Sequence, residues 1–160
     1  MKNVKRKDLE RLKQEAVKAL LKRSRINLHS GESDPIQEMI IAVHKDSYLR
    51  PHRQRNKRKS YNILEGEMLV AFFDDNGNLT DKARMSQTGI QGDIYLRFDA
   101  GIWHTILPLS EIVVFTEVIP GPYLPDNTEY ADWAPGQEDT GDLRIFHQKL
   151  MRLLSINNEL

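Results

Sequence analysis

The 160 residues contain no cysteine. Disulfides, thiolate catalysis and Cys-ligated zinc are thereby excluded, and a reducing, cytoplasmic compartment is the expectation. Nor is there an apolar run near the roughly 20 residues that a membrane helix needs, so no membrane span is predicted. Met1–Lys7 is basic but has no apolar segment behind it, which argues against a signal peptide. Net charge is lacking as well, with 23 basic residues against 23 acidic. What remains, 39% apolar and 29% charged, is the composition of a soluble globular protein of one domain.

Charge is absent in sum but not in place. Residues 1–25 carry ten Lys or Arg against Asp8, Glu10 and Glu15. The segment Arg50–Lys59 adds six bases and His52 with no acid. Asp126, Glu129, Asp132, Glu138, Asp139 and Asp142 form the opposite block. Such blocks steer anionic ligands or pair with one another. No aromatic residue is interleaved with the N-terminal bases, so that block reads as a solvated helix face, and no nucleic acid partner is expected.

Leu9, Leu12, Ala16 and Leu20 recur at helical steps and predict a helix over 8–23. Ser24–Pro35 reads as a polar connector, with Asp34-Pro35 and Gln37 suited to a helix start. The run Met39–Val43 favours a strand by its β-branched content. Strands are expected at 60–64, 67–73, 79–85, 93–98, 102–107 and 112–119, with a tight hairpin at Gly66 and another at Asn76-Gly77. Three prolines at 120–125 end the series, an acidic loop follows, and Leu143, Phe146, Leu150 and Leu153 mark a last helix over 142–154. The architecture implied is a mainly β antiparallel sandwich or jelly-roll barrel flanked by two helices.

Alternation along the strands gives the candidate site. If His52 points inward, so do Tyr48, Arg50 and Gln54, and Lys59, Tyr61 and Ile63 share one face. If His104 points inward, Trp103 and Thr105 point away. An interior holding two His, an Arg, a Lys and two Tyr is costly unless these groups meet a ligand, a metal or each other.

His52, Gln54, Lys59 and Gly66, followed by His104, have the spacing of the two motifs of a cupin metal site. The chain resembles the WbuC family of cupin-fold proteins, which is tied to surface-polysaccharide clusters. The resemblance rests on Arg25–His29, Asp34–Gln37, Ser47–Arg53, Phe72–Gly77, Ala100–Thr105, Phe115–Val118, Pro120–Tyr123 and Trp133–Pro135. It implies a cupin jelly-roll β-barrel over 26–125, to which the periodicity adds a helical extension over 1–25 and an acidic loop and helix over 126–160. It also implies a homodimer, and a divalent metal (Zn, Ni, Fe or Mn) held by His52, Gln54 and His104. Two positions depart from the family pattern. Gln54 offers an amide oxygen in place of imidazole, and Lys59 puts a cation where a carboxylate ligand is usual. Asp99, His44 and Glu117 stand as substitute ligands.

Three readings follow: a retained three-ligand metal, a cationic pocket that has replaced the metal, and a vestigial site on an assembly subunit. If chemistry occurs, His52 or His104 is the expected base and Tyr48, Tyr61 or Tyr123 the acid. Arg50, Lys59 and Tyr123 would bind a small, oxygen-rich anionic metabolite, such as a sugar intermediate.

Overall fold

In a computed structural model the chain is described over residues 1–156, without the side chains at 140, 141 and 153–156. The expected stripe residue Leu153 therefore lies outside the described side chains.

Helix α1 spans Arg6–Lys18, shorter than the 8–23 read from periodicity. Asp8 accepts from the backbone N–H of Lys5 at 2.9 Å and fixes its start. Leu12 and Ala16 are fully buried, and a side chain of leucine size stabilises by about 1.5–3 kcal/mol when buried. Leu20, read as the next residue of the stripe, is 95% exposed. The chain has already left the helix there. Lys22 takes φ 55, a left-handed conformation that turns the backbone into strand β1, Arg23–Asn27. The connector expected over 24–35 thus begins as a strand.

Strand β2, Ile36–His44, begins at the residue after Pro35, so no helix starts there. Gln37 is buried and donates to the carbonyls of Gly31, Glu32 and Asp34, holding the loop instead of capping a helix. Then come β3 (His52–Gln54), β4 (Lys59–Glu65), β5 (Glu67–Phe73), β6 (Leu79–Ser86), β7 (Tyr95–Phe98), β8 (Trp103–Pro108) and β9 (Ile112–Pro120). A 3-10 turn, Pro125–Asn127, leads to β10, Thr128–Tyr130, a strand inside the segment expected to be loop. Helix α2 spans Thr140–Ile156.

Two five-stranded antiparallel sheets result, in the orders β1-β2-β9-β4-β7 and β10-β3-β8-β5-β6. They do not close into a cylinder. An isolated bridge pairs Met85 of β6 with Asp93, two residues before β7. The sheets face each other across a core of Val43, Tyr61, Ile63, Met68, Val70, Phe72, Met85, Ile106, Val113 and Phe115. Helix α1 covers the outer face of the first sheet at Ile40, Ala42 and Val114. Helix α2 and the 131–134 segment cover the second at Phe73, Trp103 and Leu107. Trp103 thus points away from the inner face, as alternation required.

Gly66 is a corner, not the turn of a hairpin. Strand β4 pairs with β7 and β9, whereas β5 pairs with β6 and β8, so the chain changes sheets between Glu65 and Glu67. The φ of +80 is one that side chains resist, and a Cβ would stand 2.8 Å from the Ile112 carbonyl. Gly66→Ala is expected to cost about 1–3 kcal/mol from backbone strain and crowding. Urea unfolding at neutral pH measures this, and an unchanged midpoint would refute it. The hairpin read at Asn76-Gly77 is present between β5 and β6.

Candidate functional site

His52 and His104 stand directly opposite each other on β3 and β8, with ring centroids 4.4 Å apart. Each is fixed by its own backbone. His52 Nδ1 lies 3.1 Å from the Arg50 carbonyl, and His104 Nδ1 lies 2.9 Å from that of Ile102. A carbonyl only accepts, so both rings carry their proton on Nδ1 and present a bare Nε2. These rings lie on the inner face of the second sheet.

The first sheet answers with Lys59 and Tyr61 on β4 and Glu117 on β9, where Tyr61 and Glu117 are cross-strand partners. The Lys59 ammonium reaches across the interior. It lies 3.2 Å from His52 Nε2 and 3.3 Å from Glu117 Oε2. Lys59 is 3% exposed, and the Glu117 side chain 13%. A cation so placed is tolerated because an anion and a lone pair both face it. Tyr61 Oη and His104 Nε2 are buried without hydrogen-bond partners.

Burial first, and the Lys59 charge second, push the His52 imidazole down to about 3, and the same causes take His104 well below its ordinary value. Both rings are therefore neutral at pH 7. Burial, helped by the Glu117 carboxylate, drives the Tyr61 hydroxyl well above its usual value.

Beside this cluster lies a cavity of about 660 Å³. His52, Lys59, Tyr61 and Glu117 lie in its wall, as do Arg23, Arg25, Arg50, Gln54, Lys57 and Tyr123. Arg23 donates to the Tyr48 carbonyl, and Arg50 grips the Ala131 carbonyl through two nitrogens. The contact of Arg25 is the Met39 sulfur. Among the described residues none of these three guanidinium groups pairs with a carboxylate, since every ion pair found involves other bases.

The structure thus gathers His52, Lys59, Tyr61, Arg50, Gln54 and Tyr123, all named from the sequence, around one space. Two named residues stand apart. His104 touches His52 and Phe98 but is not part of the cavity wall. Tyr48 turns away: its hydroxyl donates to the Pro135 carbonyl and its ring packs edge-on against Phe146. Burial raises that hydroxyl to about 12, and the residue serves the outer layer. Sequence alternation missed Arg23 and Arg25, because the first was read as the end of a helix and the second as connector, where the structure has strand β1. Of the other substitute ligands, His44 accepts from the backbone N–H of Asp46 and lies beside the Glu111 carboxylate, and Asp99 is exposed.

The expected metal set fits these residues poorly. The Lys59 ammonium stands against His52 Nε2, the nitrogen that a metal would need, and Gln54 donates its amide to Thr128 Oγ1. Among the described residues no group of three or more His, Asp or Glu side chains gathers as a metal set.

The basic segment after β3 is tied down in part. Arg53 stacks over Trp103 at 4.3 Å and pairs with Asp75 and Glu129, and Arg55 also reaches Glu129. The acidic block supplies Glu129, so opposite blocks do pair. Lys57 instead contacts the Pro122 carbonyl at the cavity.

A family model described as a domain of unknown function, DUF6016, matches residues 4–85. No curated protein matches the chain. Among solved structures, protein SO0799 from Shewanella oneidensis is similar at 12% identity, with a TM-score of 0.60 over 86% of this chain and 93% of that one. A Klebsiella pneumoniae protein with a double-stranded β-helix domain is similar at 14%, with a TM-score of 0.51 over 69% and 84%. The capsular polysaccharide assembling protein CapF from Staphylococcus aureus is 14% identical, with a TM-score of 0.55 over 67% of this chain and 31% of CapF. At these identities the likeness shows the fold alone, a double-stranded β-helix. No helix among the described residues is long and apolar enough to cross a membrane.

Proposed function

The chain belongs to the DUF6016 family, and we propose that it is a metal-independent cupin whose cavity binds a small, oxygen-rich anion. One observation carries this reading: Arg23, Arg25 and Arg50 line a single cavity and none of them meets a carboxylate among the described residues. Guanidinium groups left without an anion on a concave surface suit a carboxylate or phosphate, which they bind through paired N–H donors. Tyr123, Gln54 and Thr128 add neutral groups for hydroxyls. The resemblance to the WbuC family, and a fold shared with CapF, support a sugar acid or sugar phosphate of surface-polysaccharide biosynthesis as the ligand.

Conversion of that ligand by proton transfer is a second reading, favoured by the unpartnered Tyr61 hydroxyl beside the cavity. His52 is poorly suited as its base. Its Nε2 already faces an ammonium, and burial makes it a weak proton acceptor. Binding is therefore the primary reading.

Calorimetric titration with a panel of uronic acids and sugar phosphates tests it. We expect saturable binding that weakens as salt rises, and a loss of about tenfold in Arg25→Ala, the scale of one charge-assisted hydrogen bond. Absence of saturable binding across the panel would sink the proposal. So would binding indifferent to both salt and Arg25→Ala.

A further inference from the structure

The cavity leaves Lys59 with more than a charge to contribute. Its side chain ends in the cavity wall, between a proton acceptor on one side and a carboxylate on the other. An ammonium is no nucleophile until it loses a proton, and a buried amine with acceptors already in contact is the arrangement that carbonyl addition requires. Resting on the anion-binding reading, we propose that Lys59 is a nucleophile that forms a Schiff base with a carbonyl-bearing anion, an oxo acid or an open-chain aldose or ketose acid, held by the arginines.

The step balances without any co-reactant. The Lys59 ammonium passes one proton to the Glu117 carboxylate, 3.3 Å away. The amine lone pair attacks the carbonyl carbon, a C–N bond forms and the C=O π pair moves to oxygen. Glu117 hands that proton to the oxygen and then takes a second one from nitrogen. Glu117 then gives this second proton to the hydroxyl, which leaves as water while the nitrogen pair closes the C=N bond. The product is a protonated imine. Its charge equals that of the starting ammonium, so Glu117 still faces one cation and the interior pays no new desolvation cost.

No other lysine of the cavity has this setting. Lys57 also lies in the wall, but among the described residues its ammonium meets a backbone carbonyl and no group that can take its proton.

The test is reductive trapping of the full-length protein with pyruvate or glyoxylate and cyanoborohydride, followed by peptide mass mapping. We expect one reduced adduct on Lys59 that forms faster than on any surface lysine. Lactate, which has the carboxylate but no carbonyl, should suppress it by competition. Lys59→Arg, which keeps the cation, should abolish that adduct alone. Glu117→Gln should slow it at least tenfold while leaving lactate binding in place. Lactate binding with label only on surface lysines would overturn the Schiff-base proposal and leave the anion site standing. Failure of pyruvate, glyoxylate and lactate to bind at all would overturn both.

Discussion

Lys59→Met is expected to lower the free energy of unfolding by about 3–5 kcal/mol at pH 7, the cost of breaking a buried ion pair from one side. The substitution keeps an unbranched chain of similar length and removes the charge. Glu117 would then keep a carboxylate in a wall shared with Tyr61 and Phe115, with no cation facing it. The second change, Glu117→Gln, removes that orphaned charge. The double variant should recover most of the loss, giving a coupling energy above about 2 kcal/mol, because removing both charges also removes the desolvation burden of each. Urea denaturation of the four proteins closes the cycle. Additive losses would mean that the 3.3 Å contact contributes nothing and that Lys59 is stabilised elsewhere. Lys59→Met should also abolish the trapped adduct, but the stability cycle stands without it, since it reads the resting ion pair alone.

The two faces that meet at Lys59 were legible in the sequence because a strand has period two. His52 with Gln54, and Lys59 with Tyr61, follow from alternation alone, and the outward Trp103 follows from an inward His104. The strand series from 60 to 120 was legible for the same reason. What alternation cannot supply is which strand lies across from which. Gly66 shows this. A positive-φ glycine between two strands serves a hairpin and a sheet-to-sheet corner equally well, and only long-range pairing with β9 and β8 decides. The proximity of Glu117 to Lys59 has the same character, since 58 residues of chain separate them and no local rule joins them. Tyr48 failed for a different reason. Alternation was extended back past Pro51 into residues that are not strand, where both Leu49 and Arg50 meet the cavity and Tyr48 leaves it. Arg23 and Arg25 were lost with a strand too polar to stand out. Their inner-face residues serve the cavity mouth, so the apolar signature that reveals a core strand is missing.

The Gln54→His/Lys59→Glu variant is expected to take up close to one equivalent of zinc or nickel, while the unaltered chain purified without a histidine tag takes up essentially none. Electrostatics set the size of the change. One unit charge against another at 4 Å is worth roughly 4 kcal/mol at an effective dielectric of 20 near a protein surface, so turning a repelling cation into an attracting carboxylate reverses a large interaction with a divalent ion. The scaffold for it is already in place. His52 and His104 hold their protons on Nδ1 against backbone carbonyls, which leaves each Nε2 as a donor atom, and that of His104 has no partner now. Without metal, the carboxylate introduced by Lys59→Glu would face Glu117 across the space that the ammonium fills, so the metal-free variant should be less stable than the unaltered chain. Added metal should reverse that loss by ligand linkage. Metal content by mass spectrometry and thermal unfolding with and without a chelator read the two effects separately. One equivalent in the unaltered chain would have a definite structural meaning. Lys59 would have to swing off His52 Nε2, and Gln54 would have to release Thr128, to make an open three-ligand site of His52, Gln54 and His104. A buried ammonium that keeps its two contacts forbids both the vacancy and the charge balance that such a site needs.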